Sequence, residues 1–131
     1  MRRHDWAERM YQVIEDHKAI PFEWGVNDCS RFVARVVDAM TDGDFETRLA
    51  EQYHSKATAL EFIGSCGSLT AAVSSLLGEA GNGWARRGDV VLIDGGEGDA
   101  VGVCIGGEVV AMGPEGVRVV PGSEIKAVWR I

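Results

Sequence analysis

The sequence predicts an α+β fold in which N-terminal helices pack on a small C-terminal antiparallel sheet. Apolar residues recur at helical spacing through residues 1–80, and short apolar runs separated by glycine-rich turns follow over residues 88–131. Because helices and strands do not alternate along the chain, a parallel βαβ sheet is not expected. With 131 residues, 46% of them hydrophobic, the chain has the size and apolar content of one domain, residues 1–131.

The first two helices are predicted over residues 3–18 and 28–40. In both segments, apolar side chains recur at intervals of three or four residues, which is typical of a helix with one buried face. The apolar stripe of the second helix begins at Cys29. Asp28 suits the N-cap position before it, because its carboxylate can accept hydrogen bonds from the free amides at the helix start.

Two shorter helices are predicted to follow the N-cap residues Ser55 and Ser68, and Gly78 suits the end of the second. Apolar patterns then predict strands at residues 90–93, 101–105, 109–112, 117–120 and 125–131. Gly106–Gly107 tolerates the positive φ of a tight hairpin between two of them. The first strand is apolar at every position, which predicts a central strand covered on both faces.

The charge pattern argues against nucleic acid as a partner. The chain has 20 acidic and 13 basic residues, for a net charge of -7, and its basic residues are dispersed apart from Arg2–Arg3 and Arg86–Arg87. The N-terminal segment is charged and amphipathic, without the apolar run of a secretory signal or a transmembrane helix. We therefore expect no membrane span and a chain made in the cytoplasm.

The cysteines and the acidic residues predict neither a metal nor a cofactor. Cys29, Cys66 and Cys104 are widely spaced and odd in number, without a CxxC pair, which indicates free thiols. The acidic, glycine-rich segment at residues 94–99 is a single copy without the spacing of a calcium loop, and it lacks a phosphate-binding motif. We expect it to be a solvated connection between strands.

Cys29 is the candidate nucleophile. A thiol in the first turn of a helix lies near the positive end of the helix dipole and near unpaired amides, which favour the thiolate. A catalytic cysteine also needs a general base within hydrogen-bonding reach. The histidines are His4, His17 and His54, and His54 is the candidate base because the segment before Ser55 could fold back over the nucleophile helix.

Trp24 is the best candidate to line a groove, because it lies next to the loop that carries Cys29. Trp84 and Trp129 are better candidates for packing, since tryptophans in a small domain are mostly core or interface anchors. Cys29 itself has three possible roles. It is a buried structural cysteine, a reactive thiol without catalysis, or a true nucleophile.

Two motifs resemble those of the NlpC-like branch of the papain-like cysteine peptidases, which cut peptide bonds in bacterial cell walls. Residues 24–30 read Trp-Gly-Val-Asn-Asp-Cys-Ser, similar to the start of that family's nucleophile helix. Residues 88–92 read Gly-Asp-Val-Val-Leu, similar to the strand that precedes its histidine strand. More narrowly, the chain looks like short phage and prophage proteins with this fold that are encoded among tail genes. The resemblance implies a papain-like fold.

The strand that carries the histidine in this family departs from the pattern. The family's His-Val-Gly-Ile-Tyr-Leu-Gly corresponds to residues 100–106, so Ala100 occupies the histidine position. The third catalytic group falls near Ala111 or Met112, and neither side chain can orient an imidazole. Because alternate residues of a strand share a face, a groove-facing Ala100 would bring Cys104 to the groove as well.

Three functions remain open on the sequence alone. The leading hypothesis is a degenerate NlpC-like domain, without hydrolase activity, that serves as a structural or assembly component of a phage or prophage tail. Its partners would be tail or tail-tip proteins, and the virion would be its final location. The second is a peptidoglycan-cleaving cysteine hydrolase with Cys29 as nucleophile and His54, or a group from a partner, as base. The third is a module that binds cell-wall peptides without cutting them.

Overall fold

The computed structural model describes residues 1–131 and has the predicted α+β architecture, five helices followed by a five-stranded antiparallel sheet. The helices are α1 (Trp6–Asp16), α2 (Cys29–Thr41), α3 (Phe45–Ala50), α4 (Lys56–Cys66) and α5 (Leu69–Leu77). The strands are β1 (Val90–Asp94), β2 (Asp99–Cys104), β3 (Glu108–Gly113), β4 (Gly116–Pro121) and β5 (Ile125–Trp129). A 3₁₀ turn, Gly122–Glu124, precedes the last strand.

Three predicted helix starts are confirmed by their caps. Asp28 accepts a hydrogen bond from the backbone amide of Arg31 at 2.9 Å. Ser55 and Ser68 do the same for the third residues of α4 and α5, at 3.2 and 3.0 Å. Gly78 ends α5 with a φ of +89°, as its C-cap position requires.

Helix α3 was not predicted, because its cap comes from another helix. The side chain of Asp44, its N-cap residue, makes no capping hydrogen bond. Instead the carboxylate of Asp38 on α2 accepts from the amides of Phe45 and Glu46, at 2.8 and 3.0 Å. A cap supplied from a distant residue leaves no local sequence signal.

The strands of the sheet lie in the order β4-β3-β2-β1-β5. The predicted hairpin joins β2 to β3 through Gly106–Gly107. The middle position belongs to β2, and β1, which was predicted to be central, lies beside it and pairs with β5 on its other edge. Both faces of β1 are buried as predicted, with Val90 and Leu92 in one apolar cluster and Val91 and Ile93 in another.

The larger apolar cluster joins the helices to one face of the sheet and has Phe32, Val36 and Trp129 at its centre. Trp129 is buried as predicted, whereas Trp84 is not, since 90% of it is exposed in the loop before β1. The second cluster consists of side chains on the other face of the sheet. No single helix is long and apolar enough to span a membrane; α4 and α5 reach that extent only together and are bent by 82° at their junction.

Gly88 and Asp89 hold the two ends of the chain together. Asp89 is completely buried, and its carboxylate accepts hydrogen bonds from the guanidinium groups of Arg2 at 3.1 Å and Arg130 at 3.2 Å, and from the amide of Ile131 at 3.2 Å. Gly88 has a φ of +94°, and a Cβ there would lie 2.9 Å from the Arg2 guanidinium. The fold alone therefore accounts for this Gly-Asp motif.

Candidate functional site

Asp28 shapes the loop that leads into α2. Its carboxylate accepts hydrogen bonds from the amides of Gly25 and Arg31, at 3.0 and 2.9 Å, and from the hydroxyl of Tyr53 at 2.7 Å. Gly25 has a φ of +77°, and a Cβ there would lie 2.1 Å from the carbonyl oxygen of His54. The backbone before α4 therefore packs directly on this loop, at a position that only glycine can occupy.

Asp28, Arg31 and Tyr53 form a buried polar cluster. The guanidinium of Arg31 donates to the carbonyl of Tyr53 and lies 4.9 Å from the centre of its ring, while its Nε is 3.9 Å from the Asp28 carboxylate. Burial raises the pKa of Tyr53, and the negative charge of Asp28 raises it further. The phenol therefore keeps its proton and donates a hydrogen bond to the carboxylate of Asp28.

Cys29 is the first residue of α2 and packs against the larger apolar cluster. Burial raises the pKa of its thiol, and the charge of Asp28 acts in the same direction, whereas contacts with the backbone of Val101 and with Ser30 oppose the rise. The thiol thus stays protonated at neutral pH. The helix terminus favours a thiolate, but at this position the loss of solvent has the larger influence on the pKa of the thiol.

No histidine side chain hydrogen-bonds to Cys29 or lines the cavity beside it. The backbone of His54 folds back on the loop at Gly25, but its side chain is exposed, and its only hydrogen bond is from the backbone amide to Thr58. His17 is held elsewhere, with Nδ1 2.7 Å from the carbonyl of Val13. The imidazole of a papain-like site is therefore absent.

Ala100 and Cys104 share one face of β2, as alternation predicts, but that face points away from Cys29. Both pack in the second apolar cluster, and the Cys104 thiol donates to the carbonyl of Gly106 at 3.2 Å. Their predicted place in the groove is wrong. The β2 residues that line the cavity with Cys29 are Asp99 and Val101.

The cavity beside Cys29 has a volume of about 100 Å³ and lies between helices α2 to α5 and strand β2. Seventeen of its 20 lining residues are hydrophobic, and Trp24, Asp28 and Cys29 are among the 20. Asp99 and the apolar residues of α4 and α5 also line it, although the sequence did not identify them as site residues. The carboxylate of Asp99 pairs with the ammonium of Lys126 at 2.7 Å, which raises the pKa of that lysine.

The groups next to Cys29 are protonated or already engaged within the protein. The site has a protonated thiol, and a carboxylate on Asp28 that is already used by three hydrogen bonds. It has no base positioned to activate that thiol. No group of three or more His, Cys, Asp or Glu side chains is placed to hold a metal ion.

Comparison with known proteins adds a family but no activity. The sequence model of a protein family described as "Domain of unknown function (DUF6950)" matches residues 1–131, which is the whole chain. A search of curated proteins finds no match.

Proposed function

The chain belongs to the DUF6950 family, and we propose that it is a degenerate NlpC-like domain without hydrolase activity that serves as a structural or assembly component of a phage or prophage tail. The state of Cys29 carries the non-catalytic part of this proposal. Burial raises the pKa of its thiol, and no histidine is there to take its proton. The tail role is supported by the resemblance to short proteins encoded among tail genes.

A papain-like mechanism requires a thiolate and an imidazole that exchange a proton. Loss of one member of such a catalytic group lowers the rate by several orders of magnitude. Asp99 lines the same cavity as Cys29, but carboxylates are in general far weaker bases than thiolates, and this one is already paired with Lys126. Asp99 is therefore a poor substitute for the histidine.

The exposed surface supports a role in assembly. Trp84 is 90% exposed, and tryptophan is one of the residues that most often anchor protein interfaces. Arg86 and Arg87, which are also exposed, follow it in the same loop. We expect this loop to contact tail or tail-tip proteins, in the host cytoplasm during assembly and in the virion afterwards.

The reactivity of the cysteines tests the non-catalytic part. Alkylation by iodoacetamide is measured at each cysteine by peptide mass spectrometry, from neutral pH to above the ordinary thiol pKa of about 8.5. Cys66, at the end of α4, is an internal control because it is also partly buried. Cys29 should react only above this ordinary thiol pKa, because burial raises its pKa. A Cys29 that reacts below that pH, in a protein that digests purified sacculi until Cys29→Ala is introduced, would restore the hydrolase.

A phage complementation experiment tests the tail role. Phage that carry Cys29→Ala should assemble normal tails and infect, because the proposed role does not use the thiol chemically. Phage that lack the gene should form no complete tails, as seen by electron microscopy. Normal tails in the absence of the gene would reject the proposal.

Binding to isolated cell walls distinguishes the peptide-binding alternative from the tail component. A module that keeps the groove of a cell-wall peptidase would bind isolated sacculi without releasing fragments. The tail component should show no such binding when the protein is pure. Retention of the pure protein on sacculi, measured by co-sedimentation, would favour the binding module.

A further inference from the structure

The α4–α5 hairpin covers the cavity beside Cys29 without filling it. Both helices are rich in apolar residues, yet each completely buries only one residue, Ala59 in α4 and Ala72 in α5. Larger side chains such as Phe62 and Leu76 are half-buried and line the cavity. Protein cores are normally packed to high density, so a space between apolar helices is a feature of ligand sites rather than of a closed core.

The lining of the cavity follows helix α2. Along α2 the cavity is lined by Cys29, Val33 and Val37, which follow one another at one-turn intervals on the same helix face. The segment from the first to the last of them spans about 12 Å of helix. A volume of about 100 Å³ lined by this row of apolar residues suits a straight aliphatic chain.

The polar groups of the cavity gather at one end. Asp28, Cys29 and Ser30 lie at the start of α2, and Asp99 lies at the start of β2. The remaining lining is apolar. Asp99 is exposed, so this end opens to solvent. An anionic head group would find no lysine, arginine or histidine among the lining residues, whereas the carboxylates can accept hydrogen bonds from a hydroxyl or an ammonium group.

We propose that this cavity binds a straight-chain aliphatic ligand whose polar end is uncharged or cationic and lies next to Cys29. The chain of the ligand would extend along α2 toward Val37, under α5. The inference does not rest on the tail role or on the chemistry of the thiol, because binding uses only the shape and polarity of the cavity. Either proposal can therefore fail without the other.

Three probes of equal chain length test the class of ligand. Octanol, octylammonium and octanoate are titrated into the intact protein, and the unfolding temperature is followed. A ligand that binds only the native state raises this temperature further as its concentration increases. Octanol and octylammonium should raise it, and octanoate should not. Absence of a shift with the first two probes would overturn the proposal, as would an equal shift with octanoate.

Protection of the thiol tests the position of the ligand. Saturating octanol should slow the alkylation of Cys29 at least about threefold while leaving Cys66 unchanged, because only Cys29 lines the cavity. Equal rates at Cys29 with and without octanol would place the ligand elsewhere and overturn the site. The measured quantity is the ratio of the Cys29 alkylation rates with and without octanol. It does not depend on the absolute reactivity of Cys29, which tests the non-catalytic role.

Substitutions on α5 test the cavity itself. Ala72→Leu should fill the space and weaken octanol binding about tenfold or more, whereas Ala71→Leu, on the same helix but outside the lining, should leave it unchanged. Leu76→Ala enlarges the cavity and should add binding of benzyl alcohol, which keeps the test decisive if Ala72→Leu does not fold. Octanol affinity that is the same in Ala72→Leu and Ala71→Leu, or no gain in Leu76→Ala, would contradict the proposal.

Discussion

Asp28 and Asp89 are both buried, and each belongs to one of the two motifs that resemble NlpC-like peptidases, yet the protein holds them in different ways. Asp89 is fully buried and neutralised by two arginines from the two ends of the chain. Asp28 is 1% exposed and is held mainly by uncharged donors, two backbone amides and a tyrosine hydroxyl. The nearest cation to it, on Arg31, is 3.9 Å away.

This comparison shows that Asp89 contributes mainly to the stability of the domain, whereas Asp28 contributes to the structure around the cavity. Asp89 closes the domain at a point remote from the cavity, whereas Asp28 starts α2 and positions the loop beside Cys29. Folding explains both residues without any reaction. A chain can therefore carry both motifs without a catalytic imidazole, and the motifs by themselves indicate the fold rather than an activity.

Asp89→Asn should give the largest loss of stability. The substitution removes the negative charge that faces Arg2 and Arg130, and breaking a buried ion pair costs about 3 kcal/mol or more. We expect about 3 kcal/mol, the lower end, because the Arg130 side chain is 47% exposed. The free energy of unfolding in urea measures the loss. Asp94→Asn, at the exposed end of the strand that follows Asp89, is the control and should change stability by about 0.5 kcal/mol or less.

Tyr53→Phe should have the next largest effect. It removes the hydroxyl that donates to Asp28 at 2.7 Å and leaves a buried carboxylate oxygen with one donor fewer. Hydrogen bonds to charged groups contribute about 1.5–3 kcal/mol, so we expect about 2 kcal/mol in urea unfolding. Tyr11→Phe, at an exposed tyrosine, is the matched control. Equal unfolding curves for the two variants would mean that this hydrogen bond contributes no stability.

The sequence predicted features that depend on neighbouring residues. The caps at Asp28, Ser55 and Ser68 were predicted because each acts on an amide three residues away. Helix α3 was missed because Asp38, seven residues before Phe45, supplies its cap. Trp84 was predicted to pack, and its exposure depends on the path of a loop that the local pattern does not specify.

The candidate site was predicted less well than the fold, because it depends on which face of a strand meets α2. Alternation established that Ala100 and Cys104 share a face, but not that Asp99 and Val101 face Cys29. The direction of the pKa shift of Cys29 could not be predicted from the sequence either. The helix terminus is visible in the sequence, whereas the burial that outweighs it arises from packing against Val101 and the apolar cluster.

Cys29 should lower the stability of the protein at alkaline pH. This prediction tests whether the region around Asp28 and Cys29 is shielded from solvent. The folded-state pKa of the thiol is raised, and the unfolded thiol titrates near 8.5. Above that pH the unfolded state releases a proton that the folded state keeps, so stability falls as pH rises, by at most about 1.4 kcal/mol per pH unit. As the pH rises above about 8.5, the wild type should therefore lose unfolding free energy relative to Cys29→Ala. A difference that stays constant with pH would contradict the raised pKa of Cys29.

Trp84→Ala should have the smallest effect on stability, although Trp84 lies only a few residues before Asp89. The side chain is 90% exposed, so its removal costs the folded state little apolar burial, and the free energy of unfolding should change by about 0.5 kcal/mol or less. Asp89 and Trp84 would then have separate roles in neighbouring positions of the chain. The buried carboxylate of Asp89 would stabilise the domain, and the exposed indole of Trp84 would be free to bind a partner. Tail assembly in the complementation experiment should accordingly fail with Trp84→Ala at unchanged stability, and normal assembly would show that the partner binds elsewhere.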